Sequence, residues 1–241
     1  MTSLERMFDP SFLTRFVPFS IVVIFGTGSF AGIVKMRLRV RTNYTRKLFH
    51  FVVFTFAGVS AVFGGVEAVF VYGGVAGIYV MVALLWNGGH AAYEGIAREE
   101  DAPHRSLYVL IPFLATAVAG ILGNVWFGSA ALAGYVVAGW GDAAGEPIGV
   151  SLGRHPYRVP ALFGTSKRTV EGSFGVLLAS FAAVEAIAAL ALAADWVTAL
   201  PRSFLVALAV TLVEAVTPRG LDNLTTQLTA TGLAAVLLRL P

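Results

Sequence analysis

The chain contains no cysteine, which excludes disulfides and thiolate metal sites. Charge is scarce as well. Asp, Glu, Lys and Arg make up 13% of the 241 residues, against about 25% in a soluble globular chain. That shortage is hard to reconcile with a surface facing water on all sides. Several chemical signatures are also missing. There is no GxxxxGK[ST], so a Walker-type nucleotide loop is not supported, and no HExxH or metal-spaced histidine pair. No nucleophile elbow with a Ser/His/Asp order occurs. Gly26 and Gly28 form a G-x-G, but no strand–helix unit surrounds it. Gly28 and Gly32, four residues apart, suit close helix packing instead.

What is abundant is apolar residue: 57% of the chain, with a mean hydropathy of +0.77. Long apolar runs recur over the whole length. They predict an all-α, polytopic integral membrane protein with about eight transmembrane helices in one bundle, a single domain over 1–241. The expected spans are 16–34, 48–63, 66–86, 107–122, 125–140, 173–194, 203–216 and 224–240. Gly64 and Gly65 are expected to turn the chain between the second and third. Pro147 disfavours helix at Glu146, so the fifth span is expected to break near 141–145, where it would line a polar cavity. Residues 1–15 do not read as a signal peptide.

The net charge is +3 and the pI near 9.4. Because the basic residues cluster beside apolar spans, they read as a topology signal rather than a nucleic-acid surface. Six lie in 35–47, two in 87–106 and four in 153–168, with Arg219 on the same side under an eight-span topology. Arg6, Arg15, Arg202 and Arg239 lie on the other. The positive-inside rule makes the first side cytoplasmic. The expected location is the inner or plasma membrane, with the active site facing the cytoplasm.

The polar chemistry is concentrated in 141–175, which holds Asp142, Glu146, Arg154, His155, Arg158, Lys167, Arg168 and Glu171. Carboxylates hold a hard cation such as Mg²⁺, and Lys and Arg neutralise phosphate oxygens. Asp142 and Glu146 share a face if the backbone is helical. Arg46 and His50 share another, which could meet a phosphate; Arg46 and Lys47 read equally as interfacial anchors. Lys167 and Arg168 supply fixed positive charge, and Glu171 either caps a helix or holds metal. Asp222 and Asn223 are either an N-cap or part of a cage with Glu214. His90, Glu94, Glu99, Glu100 and Asp101 read as a solvated loop. Glu185, mid-span, must face a cavity or the bundle interior.

Taken in order and on one membrane face, these pieces resemble the diacylglycerol/polyprenol kinase family, which includes dolichol and phytol kinases and is related to phosphatidate cytidylyltransferases. The matching residues are Arg46, Lys47 and His50 (RKxxH), and Gly141, Asp142, Gly145, Gly149, Gly153, Arg154 and His155 (GDxxG onward). Ser166, Lys167, Arg168, Glu171 and Gly172 follow, then Glu214, Asp222 and Asn223. The PGHGGxxDR signature of the cytidylyltransferases is absent; the chain reads TPRGLDNLTT there. The resemblance implies transfer of the γ-phosphate of CTP to a membrane lipid alcohol, such as a polyprenol, with Mg²⁺. It implies Asp142, His50 and Lys167 as catalytic residues. Arg46, Lys47, Arg154, Lys167, Arg168 and Asn223 would bind nucleotide, and Asp142, Glu146, Glu171 and Asp222 would hold metal. A CDP-lipid-forming cytidylyltransferase and a small anion transporter remain the alternatives, and a homo-oligomer stays open.

Overall fold

The computed structural model describes residues 3–192 and 196–239. It is overwhelmingly helical. Among the described residues nine α-helices run in the order α1 (Ser3–Met7), α2 (Pro10–Leu38), α3 (Thr42–Trp86), α4 (Ala91–Glu94), α5 (Leu107–Phe127), α6 (Ala131–Leu152), α7 (Val170–Leu192), α8 (Trp196–Val216) and α9 (Asp222–Leu237). One antiparallel hairpin, β1 (Pro156–Ala161) and β2 (Gly164–Thr169), separates α6 from α7. Five helical stretches are long and apolar enough to cross a membrane: Pro10–Leu38, Thr42–Trp86, Leu107–Leu152, Val170–Leu190 and Val197–Val216. The chain is therefore built as a membrane-embedded helical protein. The expected spans 173–194 and 224–240 end in residues outside the described ones.

The chain divides into two compact units, Met1–Phe113 and Leu114–Pro241. In the first, Asp9 caps α2, accepting from the Ser11 and Phe12 amides at 2.7 and 3.2 Å, with Pro10 at the first helical position. The helix ends at Arg39, whose φ of 54° is left-handed. Within α3 the backbone is non-helical at Gly65 (φ 70°, ψ −165°), a conformation glycine adopts without the Cβ penalty. A Cβ on Gly28 would overlap the Tyr79 ring, and one on Gly32 the Ala91 carbonyl. Their spacing is thus a packing stripe, as expected.

Residues 87–106 differ from the expected solvated loop. Tyr93, Ile96, Ala97, Arg98 and Asp101 are buried. The charges go in because they are paired. Lys35 Nζ donates to Glu94 and pairs with Glu99, each at 3.0 Å; Arg105 donates to Glu94 at 2.9 Å, and Arg98 to Asp101 at 3.1 Å.

In the second unit, the core is formed by Val137, Val184, Val206, Val210, Ala230 and Ala234 from α6 to α9. The expected break near 141–145 does not occur. Helix α6 runs unbroken through Pro147 to Leu152. The reason lies in the glycines. A Cβ on Gly141 would sit 2.8 Å from Ser180 Oγ, on Gly145 2.5 Å from Val176 Cγ2, and on Gly149 2.9 Å from Thr169 Oγ1. The stripe lets α6 and α7 approach closely, and that packing holds the helix together. Pro147 forfeits one backbone hydrogen bond, to the Ala143 carbonyl, and the close α6–α7 packing offsets that loss.

Candidate functional site

The hairpin follows from its sequence. Residues 162 and 163 join the two strands, and Gly164, the first residue of β2, takes the left-handed conformation (φ 90°) that the tight turn needs. Tyr157 pairs with Arg168, Arg158 with Lys167 and Val159 with Ser166. Because strand side chains alternate, Tyr157, Val159, Ser166 and Arg168 take the inner face, while Arg158 and Lys167 lie exposed on the outer one.

The inner face is tied down at several points. Tyr157 Oη and Ser173 Oγ are 2.7 Å apart, and the Val170 amide donates to the His155 carbonyl at 3.0 Å. The turn between α8 and α9 joins the hairpin as well. The Arg219 amide donates to the Pro160 carbonyl, and the Leu162 amide donates to the Arg219 carbonyl. Arg219 Nη1 also reaches Ser166 Oγ at 3.4 Å.

Arg168 is the electrostatic centre. Its side chain is only 12% exposed; Nε lies 3.2 Å from Glu214 Oε1 and Nη2 3.2 Å from Asp222 Oδ2. Its third nitrogen, Nη1, is buried with no hydrogen-bond partner among the described residues. Close by, Asp142, Glu214, Asp222, Asn223 and Thr226 line a cavity of about 10 Å³ together with Val137, Val176 and Val210. That is about the space of one water. Asn223 is buried and donates to Thr116 Oγ1 at 2.9 Å.

The site residues expected from the sequence therefore separate into groups. Asp142, Asp222 and Asn223 meet at the cavity, joined by Glu214. Asp142 and Glu146 lie one turn apart on half-buried α6. Lys167 and Arg168, adjacent in sequence, diverge to opposite hairpin faces. Glu171 is engaged elsewhere: its Oε1 lies 2.6 Å from His155 Nδ1, and its Oε2 accepts from the His155 amide at 3.3 Å. Arg46, Lys47 and His50 belong to the first unit. There Lys47 is buried at 5% exposure and the His50 ring stacks on Phe54 at 4.5 Å. Among the described residues, no group of three or more His, Asp or Glu is arranged to hold a metal ion. Of the four carboxylates Asp142, Glu146, Glu171 and Asp222, Asp222 is paired with the Arg168 guanidinium and Glu171 with His155.

On the outer face stand Arg158 and Lys167, with Arg154 just before the hairpin; all three are exposed and without an ion-pair partner among the described residues. Like charges directly opposite across a strand pair repel, so the Arg158–Lys167 pair favours an anion between them. Arg158 is the residue that sequence reasoning left without a role. Its signal was the alternation of YRVPA against TSKRT, which sets it opposite Lys167. No family model, curated protein or solved structure matches the chain.

Proposed function

We propose that the chain is a membrane phosphotransferase that moves the γ-phosphate of a nucleotide, CTP by the sequence resemblance, onto the hydroxyl of a membrane lipid alcohol such as a polyprenol. The observation that carries this reading is the set of exposed cations without an ion-pair partner among the described residues, Arg158 and Lys167 on the outer hairpin face and Arg154 just before it, on a segment whose inner-face Arg168 pairs with the cavity-lining Glu214 and Asp222. Phosphoryl transfer asks the protein mainly for alignment and charge neutralisation. The three cations offer both to a polyphosphate. Mg²⁺ belongs with the substrate, as the Mg–nucleotide complex.

In the transfer, the lipid oxygen bonds to the γ-phosphorus, the bond from that phosphorus to the bridging oxygen breaks, and CDP leaves. The hydroxyl proton passes to the Asp142 carboxylate. Helices Thr42–Trp86 and Leu107–Leu152, 45 and 46 residues long, would each reach nearly 70 Å, twice the hydrocarbon thickness. Each serves as two spans, divided at Gly65 and near 128–130. With α2, α7, α8 and α9 they would give the eight spans expected from the sequence, and in that arrangement the positive-inside rule favours a cytoplasmic hairpin.

The test is a membrane assay with γ-³²P-CTP and α-³²P-CTP in parallel over a set of prenols and diacylglycerol. Lipid labelled from the γ position only is the expected result. Label from the α position would replace the kinase with a cytidylyltransferase, and label from neither would remove both. A transporter is favoured by one observation: both carboxylate oxygens of Glu185 are buried without a hydrogen-bond partner among the described residues. A buried acid of that kind within a membrane helix is a mark of a transport pathway.

A further inference from the structure

The first unit contains a cleft that the kinase reading leaves unused. It has a volume of about 750 Å³ and lies among the end of α2, the start of α3 and the 94–100 segment. That is the size of a small-molecule site. Its walls include Lys35, Arg39, Arg41, Glu94, Glu99 and Glu100, with the buried Thr42 and Asn43 beneath.

Most of the charge in this cleft is already matched. Lys35 and Arg105 answer Glu94 and Glu99, and Arg98 answers Asp101. Arg39 and Arg41 remain, exposed and with no ion-pair partner among the described residues; Glu100 is the one acid left opposite them. Arg39 is held in a left-handed backbone (φ 54°), a conformation that costs a non-glycine residue energy and tends to mark functional positions. The cleft also adjoins exposed apolar surface. In the last turn of α2, Met36 and Leu38 are 48% and 70% exposed, and Met36 lines the cleft.

We propose that this cleft binds a phosphate ester, with Arg39 and Arg41 as its anion ligands, and that the ester is the headgroup of an anionic lipid. Two guanidiniums present forked donors to phosphate oxygens. The apolar turn beside them receives the start of an acyl chain. The Lys35–Glu94–Arg105 network holds the opposite wall in place.

The experiment uses the full chain in an uncharged detergent and measures binding of short-chain phosphatidate, inorganic phosphate and short-chain phosphatidylcholine. Phosphatidate is expected to bind, and to weaken about tenfold with each of Arg39→Gly and Arg41→Gln. Arg39→Gly suits the left-handed backbone, so its melting temperature should hold or rise while binding falls. A purely structural arginine would not give that split. Inorganic phosphate binding as tightly, with the same dependence on Arg39 and Arg41, would keep the phosphate site and make its ligand a soluble ester. Affinity unchanged in Arg39→Gly/Arg41→Gln, or no binding of either phosphate probe by the wild type, would overturn the proposal. Lys167→Gln is the reference variant: it should impair transfer and leave the Arg39- and Arg41-dependent binding intact, which keeps the two readings separable.

Discussion

Replacing Gly145 with alanine tests whether the glycines around Asp142 serve phosphate binding or helix packing. A Cβ there would lie 2.5 Å from Val176 Cγ2 and 3.4 Å from the Gly172 carbonyl oxygen. The first contact is far inside van der Waals range and the second is ordinary. Alanine gains about 1 kcal/mol of helix propensity over glycine. Overpacking a close seam costs about 1–3 kcal/mol. The overlap is with a β-branched side chain that has little rotamer freedom, so the upper half of that range applies and the net loss is about 1–2 kcal/mol. Val176→Ala should relieve it. In the double variant Gly145→Ala/Val176→Ala the coupling should recover at least 1 kcal/mol, read by thermal or denaturant unfolding in detergent. Phosphotransferase activity should return with stability. A Gly145→Ala protein as stable as wild type would refute the packing argument. A double variant that is stable yet inactive would give Gly145 a role beyond helix packing.

Arg168→Met should cost about 2–4 kcal/mol, because it leaves Glu214 and Asp222 without the cation that holds both; adding Glu214→Gln and Asp222→Asn should restore most of it, measured by the same unfolding assay. Asp142→Asn should abolish lipid phosphorylation with the fold intact, and near-wild-type turnover would remove Asp142 from the mechanism. Burial pushes the Glu94 carboxyl up, but the hydrogen bonds from Arg105 and Lys35 outweigh it and bring it from its ordinary 4.5 to about 2. A lowered folded value means that its stabilisation is full above pH 4.5 and is lost as pH falls towards 2. The amount is about 2 kcal/mol after allowing for partial solvation. Glu94→Gln should flatten the acid limb of a stability–pH curve between those values, and an unchanged limb would refute the assignment.

The sequence by itself determined that the chain is a helical membrane protein, because burying so many apolar side chains with so few charges has one outcome in water and lipid. It also marked the α2 packing stripe at Gly28 and Gly32, and the concentration of acids and bases in 141–175. It did not reveal the hairpin inside that stretch, although the alternation and Gly164 were there to be read. Two six-residue strands carry too little apolar surface to stand out between long apolar helices.

Three features came only from tertiary structure. Helix α6 passes Pro147 because the Gly141–Gly145–Gly149 stripe packs on α7, which local propensity cannot see. Lys167 and Arg168 part company because a strand, unlike a helix, sends neighbours to opposite faces. Glu94 is half-buried and Asp101 buried because Lys35, Arg105 and Arg98 reach them, the first of these from 59 residues away in sequence. For α6 and for the Lys35–Glu94 pair the deciding term is a contact between segments distant in sequence, and a contact of that kind exists only once the chain has folded.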